Sequence, residues 1–125
     1  MTIRSKALQW YEGKYQRVDK PIYASKLYQP NESWTSSTVW WIEIPITTIE
    51  NNPESSIHIL CQKENDEAEF YHLNIPSDFL QQNLKNLEVN NGRISLFLSA
   101  ESGNFFVDKR GNKNINFSSF IIKDE

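Results

Sequence analysis

Two stretches of the chain repeat hydrophobic residues at the three-to-four spacing of an amphipathic helix. The repeating positions are Ile3, Ala7, Trp10 and Tyr11 within residues 2–15, and Phe79, Leu80, Leu84 and Leu87 within residues 76–87. A serine and an aspartate follow Pro76, and either can cap the start of the second stretch. The pattern therefore predicts an N-terminal helix over residues 2–15 and a second helix near 77–87.

Other stretches are short runs of β-branched and aromatic residues between polar breaks, which favours strands. Val39–Ile44 is the clearest run, and alternation places Trp40, Ile42 and Ile44 on one face. We expect this apolar face to be core, and we expect Trp41, on the other face, to be partly exposed. The remaining predicted strands are Ile57–Gln62, Ala68–Ile75, Arg93–Ala100, Asn104–Asp108 and Asn114–Ile122.

The order of these elements predicts one α+β domain over residues 1–125, a length close to the commonest domain size. We expect a single, mostly antiparallel sheet of five or six strands. The N-terminal helix and the second helix near 77–87 would cover one face or the ends of that sheet.

Between the first predicted helix and Val39 the periodicity is lost. Residues 16–38 contain Pro21, Pro30 and a serine- and threonine-rich run, which predicts a long irregular connection. Such long loops are uncommon in compact domains and are often functional. Three of the four tryptophans fall at positions 34, 40 and 41, so residues 23–41 are the first candidate for a binding site.

Within this segment the rings of Tyr28, Trp34 and Trp41 are accompanied by Lys26 and by hydroxyl groups such as that of Ser36. Rings beside cations suit stacking on unpaired bases. Tryptophan and tyrosine also dominate the binding energy of protein interfaces. The alternative interpretation is that the rings fill the core between the first helix and the sheet.

His58 and His72 are the second candidate. If their strands pair through a five-residue loop, opposed positions sum to 130, so His58 faces His72 and Leu60 faces Phe70. Opposed side chains have Cβ atoms about 5 Å apart, close enough to share a metal or a proton. Cys61 would lie on the opposite face. Two ligands are too few for a structural zinc site, so a half-exposed cross-strand pair is the simpler interpretation.

Arg110 is the third candidate, in the segment VDKRGN. It can form a salt bridge with Asp108, or its guanidinium can bind a phosphate or carboxylate group. The Gly111-Asn112 pair makes a turn with both charges in water the simpler interpretation.

The net charge and the absence of known motifs argue against several classes of function. The net charge of −3 gives no bulk attraction to nucleic acid, although residues 1–30 carry six cations and two carboxylates, a sum of +4. The single cysteine argues against a disulfide. The sequence lacks a signal-like or membrane-spanning apolar stretch, so we expect a cytoplasmic protein with no membrane association. It also lacks phosphate-loop, dinucleotide-binding and nucleophile-elbow motifs, so we expect no cofactor and favour a non-enzymatic protein, with enzymatic activity left open.

Three hypotheses of function follow. The leading one is a small non-enzymatic binding module that presents residues 23–41 to a protein partner, by analogy in a bacterial or phage conflict system. The first alternative is single-stranded nucleic-acid binding through the Trp/Tyr loop and the basic N-terminal segment, which a steep dependence on salt would reveal. The second alternative is a metal-dependent hydrolase that uses His58 and His72. A homodimer that covers Trp34 or Trp41 is a further expectation.

Overall fold

The computed structural model of the chain describes residues 3–15, 22–28, 38–51, 56–64, 68–101, 105–111 and 113–122. These residues form an α+β fold, as predicted, but the strands make two sheets of four, so the expected single sheet is wrong. The helices are α1 (Ile3–Tyr15), α2 (Ile46–Asn51) and α3 (Ser77–Gln82). The strands are β1 (Ile22–Ser25), β2 (Leu27–Tyr28), β3 (Val39–Pro45), β4 (Ser56–Gln62), β5 (Phe70–Pro76), β6 (Glu88–Asn90), β7 (Arg93–Ser99) and β8 (Ile121–Ile122).

The first sheet has the strand order β1-β4-β5-β8, and the second has the order β2-β3-β7-β6. The pairs are antiparallel except β1 with β4, which are parallel. The connection that we expected to be irregular contains β1 and β2, and the chain passes from one sheet to the other at Lys26. Strands of four and two residues are too short for alternation to reveal them.

The two sheets pack against each other, and α1 covers the other face of the first sheet. The core between the sheets contains Trp40, Ile42 and Ile44, so the predicted inward face of β3 is confirmed. The predicted inward residues of β7 are also fully buried: Ile94, Leu96 and Leu98. On the other side of the first sheet, Ala7 and Tyr11 of α1 form a smaller buried cluster with strand residues Ile22, Leu60 and Phe70. In the described part of the chain, α1 and the two sheets therefore lie in three layers, and the face of the second sheet turned away from the first sheet is an outer face.

The helix predicted near 77–87 is shorter than expected. The α-helix ends at Gln82, and a 3₁₀ turn follows at Leu84–Asn86. Between them, the side-chain amide of Asn83 donates a hydrogen bond to the Phe79 carbonyl at 2.8 Å, an interaction that competes with helical hydrogen bonding. The expected side-chain cap does not form, because Pro76 occupies the N-cap position. None of the helices in the described ranges combines the length and the hydrophobicity of a membrane span.

The C-terminal third is less regular than predicted. In place of strands at 104–108 and 114–122, the chain forms isolated bridges from Leu98 to Asp108 and from Val107 to Asn116, and then β8. Phe106 directly precedes Val107 and Asp108, which form these bridges, and it has a φ of 63°, a conformation that bulky L-residues rarely adopt. Its ring is fully buried in the core, so tertiary packing holds the backbone in this conformation.

Candidate functional site

Three half-buried aromatic side chains form a row on the outer face of the second sheet, and we call Tyr28, Trp41 and Phe97 the outer aromatic row. Trp41 and Phe97 are directly opposed on β3 and β7, with ring centroids 6.0 Å apart and an interplanar angle of 79°. The Tyr28 centroid lies 6.4 Å from that of Trp41. Aromatic pairs of this kind contribute about 0.5–1.5 kcal/mol beyond area burial. The rings therefore help to fix one another.

A cation covers a ring at each end of the outer aromatic row. The Lys26 Nζ lies 4.9 Å from the Tyr28 centroid, and the guanidinium carbon of Arg110 lies 4.6 Å from that of Phe97. Both cations are exposed, and cation–π contacts at exposed sites contribute about 0.5–1 kcal/mol. The face thus has an aromatic centre bounded by two positive charges.

Two buried serines position this face. The Ser25 hydroxyl donates to the Lys26 carbonyl at 2.7 Å and accepts the backbone N–H of Trp41 at 2.9 Å. The Trp41 indole Nε1 donates to the Ser95 Oγ at 3.1 Å. These hydrogen bonds hold the indole ring of Trp41 in a fixed position relative to Lys26, where the chain passes from one sheet to the other.

The structure brings four of the predicted binding residues to one face, namely Lys26, Tyr28, Trp41 and Arg110. The partial exposure predicted for Trp41 is confirmed. The other two predicted residues, Trp34 and Ser36, lie outside the described residues. Phe97 was not predicted, because its place beside Trp41 depends on β3 and β7 being neighbours. The sequence did contain one signal for Phe97. Apolar residues alternate along this strand and predict its inward face, and Phe97 is an aromatic ring at one of the outward positions.

Carboxylates lie in the next row of the same face. Glu43 of β3 and Glu88 of β6 both pair with Ser95, which lies between them on β7. Alternation places these residues on the face that carries Trp41 and Phe97. The outer face is therefore mixed in charge, with cations at the aromatic row and carboxylates beside it.

The turn that carries Arg110 differs from the prediction, because Asp108 is fully buried and not in water. Its Oδ1 accepts the backbone N–H groups of Phe97 at 3.1 Å and Arg110 at 3.2 Å, and its Oδ2 accepts that of Gly111 at 3.0 Å. Burial raises the pKa of the Asp108 carboxyl, although these hydrogen bonds act in the opposite direction. The carboxylate thus links the backbone of Arg110 to that of the ring it covers.

The histidines lie on the other side of the molecule, between the first sheet and α1. His58 pairs with Asn74, and Leu60 pairs with His72, so the predicted register is wrong by two residues. Because side chains alternate with a period of two, this shift keeps both histidines on one face. Their diagonal arrangement places His58 Nδ1 2.8 Å from His72 Nε2. Both side chains are buried, at 6% and 3% exposure, and not half-exposed as predicted.

Aromatic rings of α1 cover the histidine pair. The Tyr11 centroid lies 5.9 Å from that of His58 and 5.6 Å from that of His72, and Trp10 lies 6.2 Å from His72. Within the described part of the chain, no group of three or more His, Cys, Asp or Glu side chains could hold a metal ion. Cys61 points into the opposite layer, where burial raises the pKa of its thiol well above the ordinary value. The metal-dependent hydrolase stays a prediction.

We expect the two histidines to be energetically coupled. Replacing either by alanine should cost about 1–3 kcal/mol, because the partner ring nitrogen loses its buried hydrogen bond. The double replacement should cost less than the sum of the single ones by about 0.5–3 kcal/mol. Urea denaturation of His58→Ala, His72→Ala and the double variant measures this coupling. Additive costs would show that the 2.8 Å contact contributes nothing to stability.

The chain thus carries two sites of different character on opposite sides. The outer aromatic row is a half-buried patch of rings on an outer sheet face, whereas the histidine pair is a buried polar link beneath a helix. Comparisons with protein-family models, with curated proteins and with solved structures found no match to this chain.

Proposed function

We propose that this protein is a non-enzymatic binding module that contacts a protein partner through the outer aromatic row. The observation that carries the proposal is the contiguity of three aromatic rings bounded by Lys26 and Arg110 on one sheet face. Tryptophan, tyrosine and arginine are the residues in which interface binding energy is concentrated. Rings that neighbouring side chains already orient lose less conformational entropy on binding.

The charges of the face indicate the chemistry of the partner. An apolar side chain of the partner would pack against Trp41 and Phe97. Carboxylates of the partner would meet Lys26 and Arg110, and a basic residue would meet Glu43. Such complementarity gives specificity and register more than affinity. A role in a bacterial or phage conflict system and a cytoplasmic location remain predictions about where such a partner would be met.

Single-stranded nucleic acid is the alternative ligand of the same rings, since bases stack on aromatic side chains beside cations. Two observations favour a protein instead. The cations already lie over the rings of Tyr28 and Phe97, so a base would have to displace them. A phosphate backbone that follows the face would also meet Glu43 and Glu88.

Replacement of Arg110 by glutamine is expected to weaken binding of the protein partner by roughly 30-fold or more, which corresponds to about 2 kcal/mol. The partner is recovered from cells with the wild-type protein as bait, purified, and titrated calorimetrically against both proteins. Arg110 is exposed, so the variant should keep its fold, which far-UV circular dichroism checks.

Lys109→Gln is the matched control. Lys109 is the exposed cation adjacent to Arg110, so this substitution removes the same charge from a neighbouring position. Its affinity should stay within about threefold of the wild type, as expected for a rim charge. Equal losses of affinity in the two variants would mean that binding depends on the net charge of the protein and not on the position of Arg110. Binding of an oligonucleotide with a steep dependence on salt would favour the nucleic-acid alternative.

A further inference from the structure

A cavity of about 260 Å³ lies at the edge of the first sheet, on the side covered by α1. Its apolar lining comes from Trp10 of α1, from Phe70 and Tyr71 of β5, and from the two isoleucines of β8. Lys63 and His72 also line the cavity. Ligand pockets are mostly apolar with a few placed polar groups, and this volume suits a small molecule.

Ring contacts and hydrogen bonds of Trp10 and Tyr71 hold the walls of the cavity in place. The Trp10 ring makes edge contacts with Phe70 and His72, at centroid distances of 5.9 Å and 6.2 Å. The Trp10 indole donates to the Glu69 carboxylate at 2.6 Å, and the Tyr71 hydroxyl donates to the Glu64 carboxylate at 3.0 Å. The polar ends of both rings are therefore engaged with these carboxylates.

Among the described residues that line the cavity, Lys63 carries a cationic side chain. Its ammonium lies 5.1 Å from the Tyr71 centroid, and among the described residues it makes no ion pair. Lys63 is half-buried, and its cation–π contact is the interaction that the ammonium would exchange for one with an anion. A carboxylate would form a charge-assisted hydrogen bond with this ammonium, which is roughly twice as strong as a neutral one.

We propose that this cavity binds a small planar carboxylate, with the ring system of the ligand against Trp10 and β8 and the carboxylate on Lys63. His72 forms the polar part of the wall, and its ring is fixed by the hydrogen bond to His58. The cavity shares no residue with the outer aromatic row, which lies on the other sheet. A second ligand class is thereby assigned to a surface separate from the proposed protein interface.

The experiment uses three probes of one shape on the full chain: 1-naphthoate, its neutral amide and 1-naphthylmethylamine. Each is titrated by ¹⁵N-resolved NMR, and its Kd is read from the shifts. We expect 1-naphthoate to bind with a Kd at or below about 1 mM, with the largest shifts at Lys63, His72 and Ile121. Lys63→Gln should weaken 1-naphthoate about tenfold or more, whereas the exposed-lysine control Lys85→Gln should leave the Kd unchanged.

The probe series keeps the test valid even if a variant loses stability, because the amide changes the ligand and not the protein. The amide should bind about tenfold more weakly than the carboxylate to the wild type. Equal binding of carboxylate and amide, tighter binding of the amine, shifts that map elsewhere, or no saturation at millimolar probe would each overturn the proposal.

Discussion

Replacement of Trp40 by alanine is expected to lower the free energy of unfolding by about 3–5 kcal/mol. The Trp40 ring is fully buried and stacks on Phe106, with a centroid distance of 4.8 Å and an interplanar angle of 10°. Tyr71 and Phe105 make edge contacts with it at 5.7 Å and 5.5 Å. The indole also donates to the Gln62 carbonyl at 2.9 Å and so links the two sheets. Alanine would remove these contacts and leave a cavity between the sheets.

Trp41→Ala is the matched control, because it removes the same side chain one residue along the strand from a half-buried position. Less apolar area returns to water at this site, so the cost should be less than half of that for Trp40. Urea denaturation followed by far-UV circular dichroism measures both, since the backbone amides dominate that signal in the wild type and in both variants. Equal costs, or a cost below about 1 kcal/mol for Trp40, would contradict the assignment of Trp40 to the centre of the core.

Replacement of Asp108 by alanine should also have a large effect and lower the free energy of unfolding by about 3 kcal/mol or more. The carboxylate accepts three backbone N–H groups, from Phe97, Arg110 and Gly111. Without it these donors lose their partners in a place that water does not reach, because Asp108 is fully buried. Asp78→Ala is the control, since that aspartate is exposed on α3, and it should cost under about 1 kcal/mol. The loss is measured by urea denaturation, and similar costs at the two sites would contradict a structural role for Asp108.

The pH dependence of Asp108→Asn tests the direction of its pKa shift. Burial raises the pKa of Asp108 in the folded protein above its ordinary value of 3.8. A group shifted in this direction stabilises the fold at low pH, and that contribution is lost as pH rises through the folded pKa. The wild type should therefore gain stability relative to the asparagine variant as the pH falls from 7 toward 4. A relative loss over this range would mean that the backbone hydrogen bonds outweigh desolvation.

Local features of the fold were predictable from the sequence, because they depend on periodicity alone. Trp40, Ile42 and Ile44 point into the core and Trp41 is partly exposed, as alternation along β3 requires. Alternation also explains why His58 and His72 are in contact although the predicted register was wrong. A shift of two residues changes the partner on the neighbouring strand but not the face.

Features that depend on which strands are neighbours were not predictable. Phe97 joins Trp41 only because β7 pairs with β3, and Arg110 covers Phe97 only because Asp108 holds the turn there. The burial of Asp108 had no sequence signal, since the segment VDKRGN has the composition of an exposed turn. Three backbone donors that converge on one carboxylate are a tertiary feature.

The most direct test of the proposed function is site-specific photo-cross-linking from the face that carries the outer aromatic row. Two proteins are made, each with one benzophenone amino acid. In the first it replaces Lys109, beside Arg110, and in the second it replaces Glu12, an exposed residue of α1 on the far side of the molecule. Both proteins are irradiated with the purified partner, with and without excess single-stranded oligonucleotide. We predict an adduct from position 109, none from position 12, and no effect of the oligonucleotide. Equal adducts from both positions, or loss of the adduct in the presence of oligonucleotide, would contradict a protein interface at the outer aromatic row.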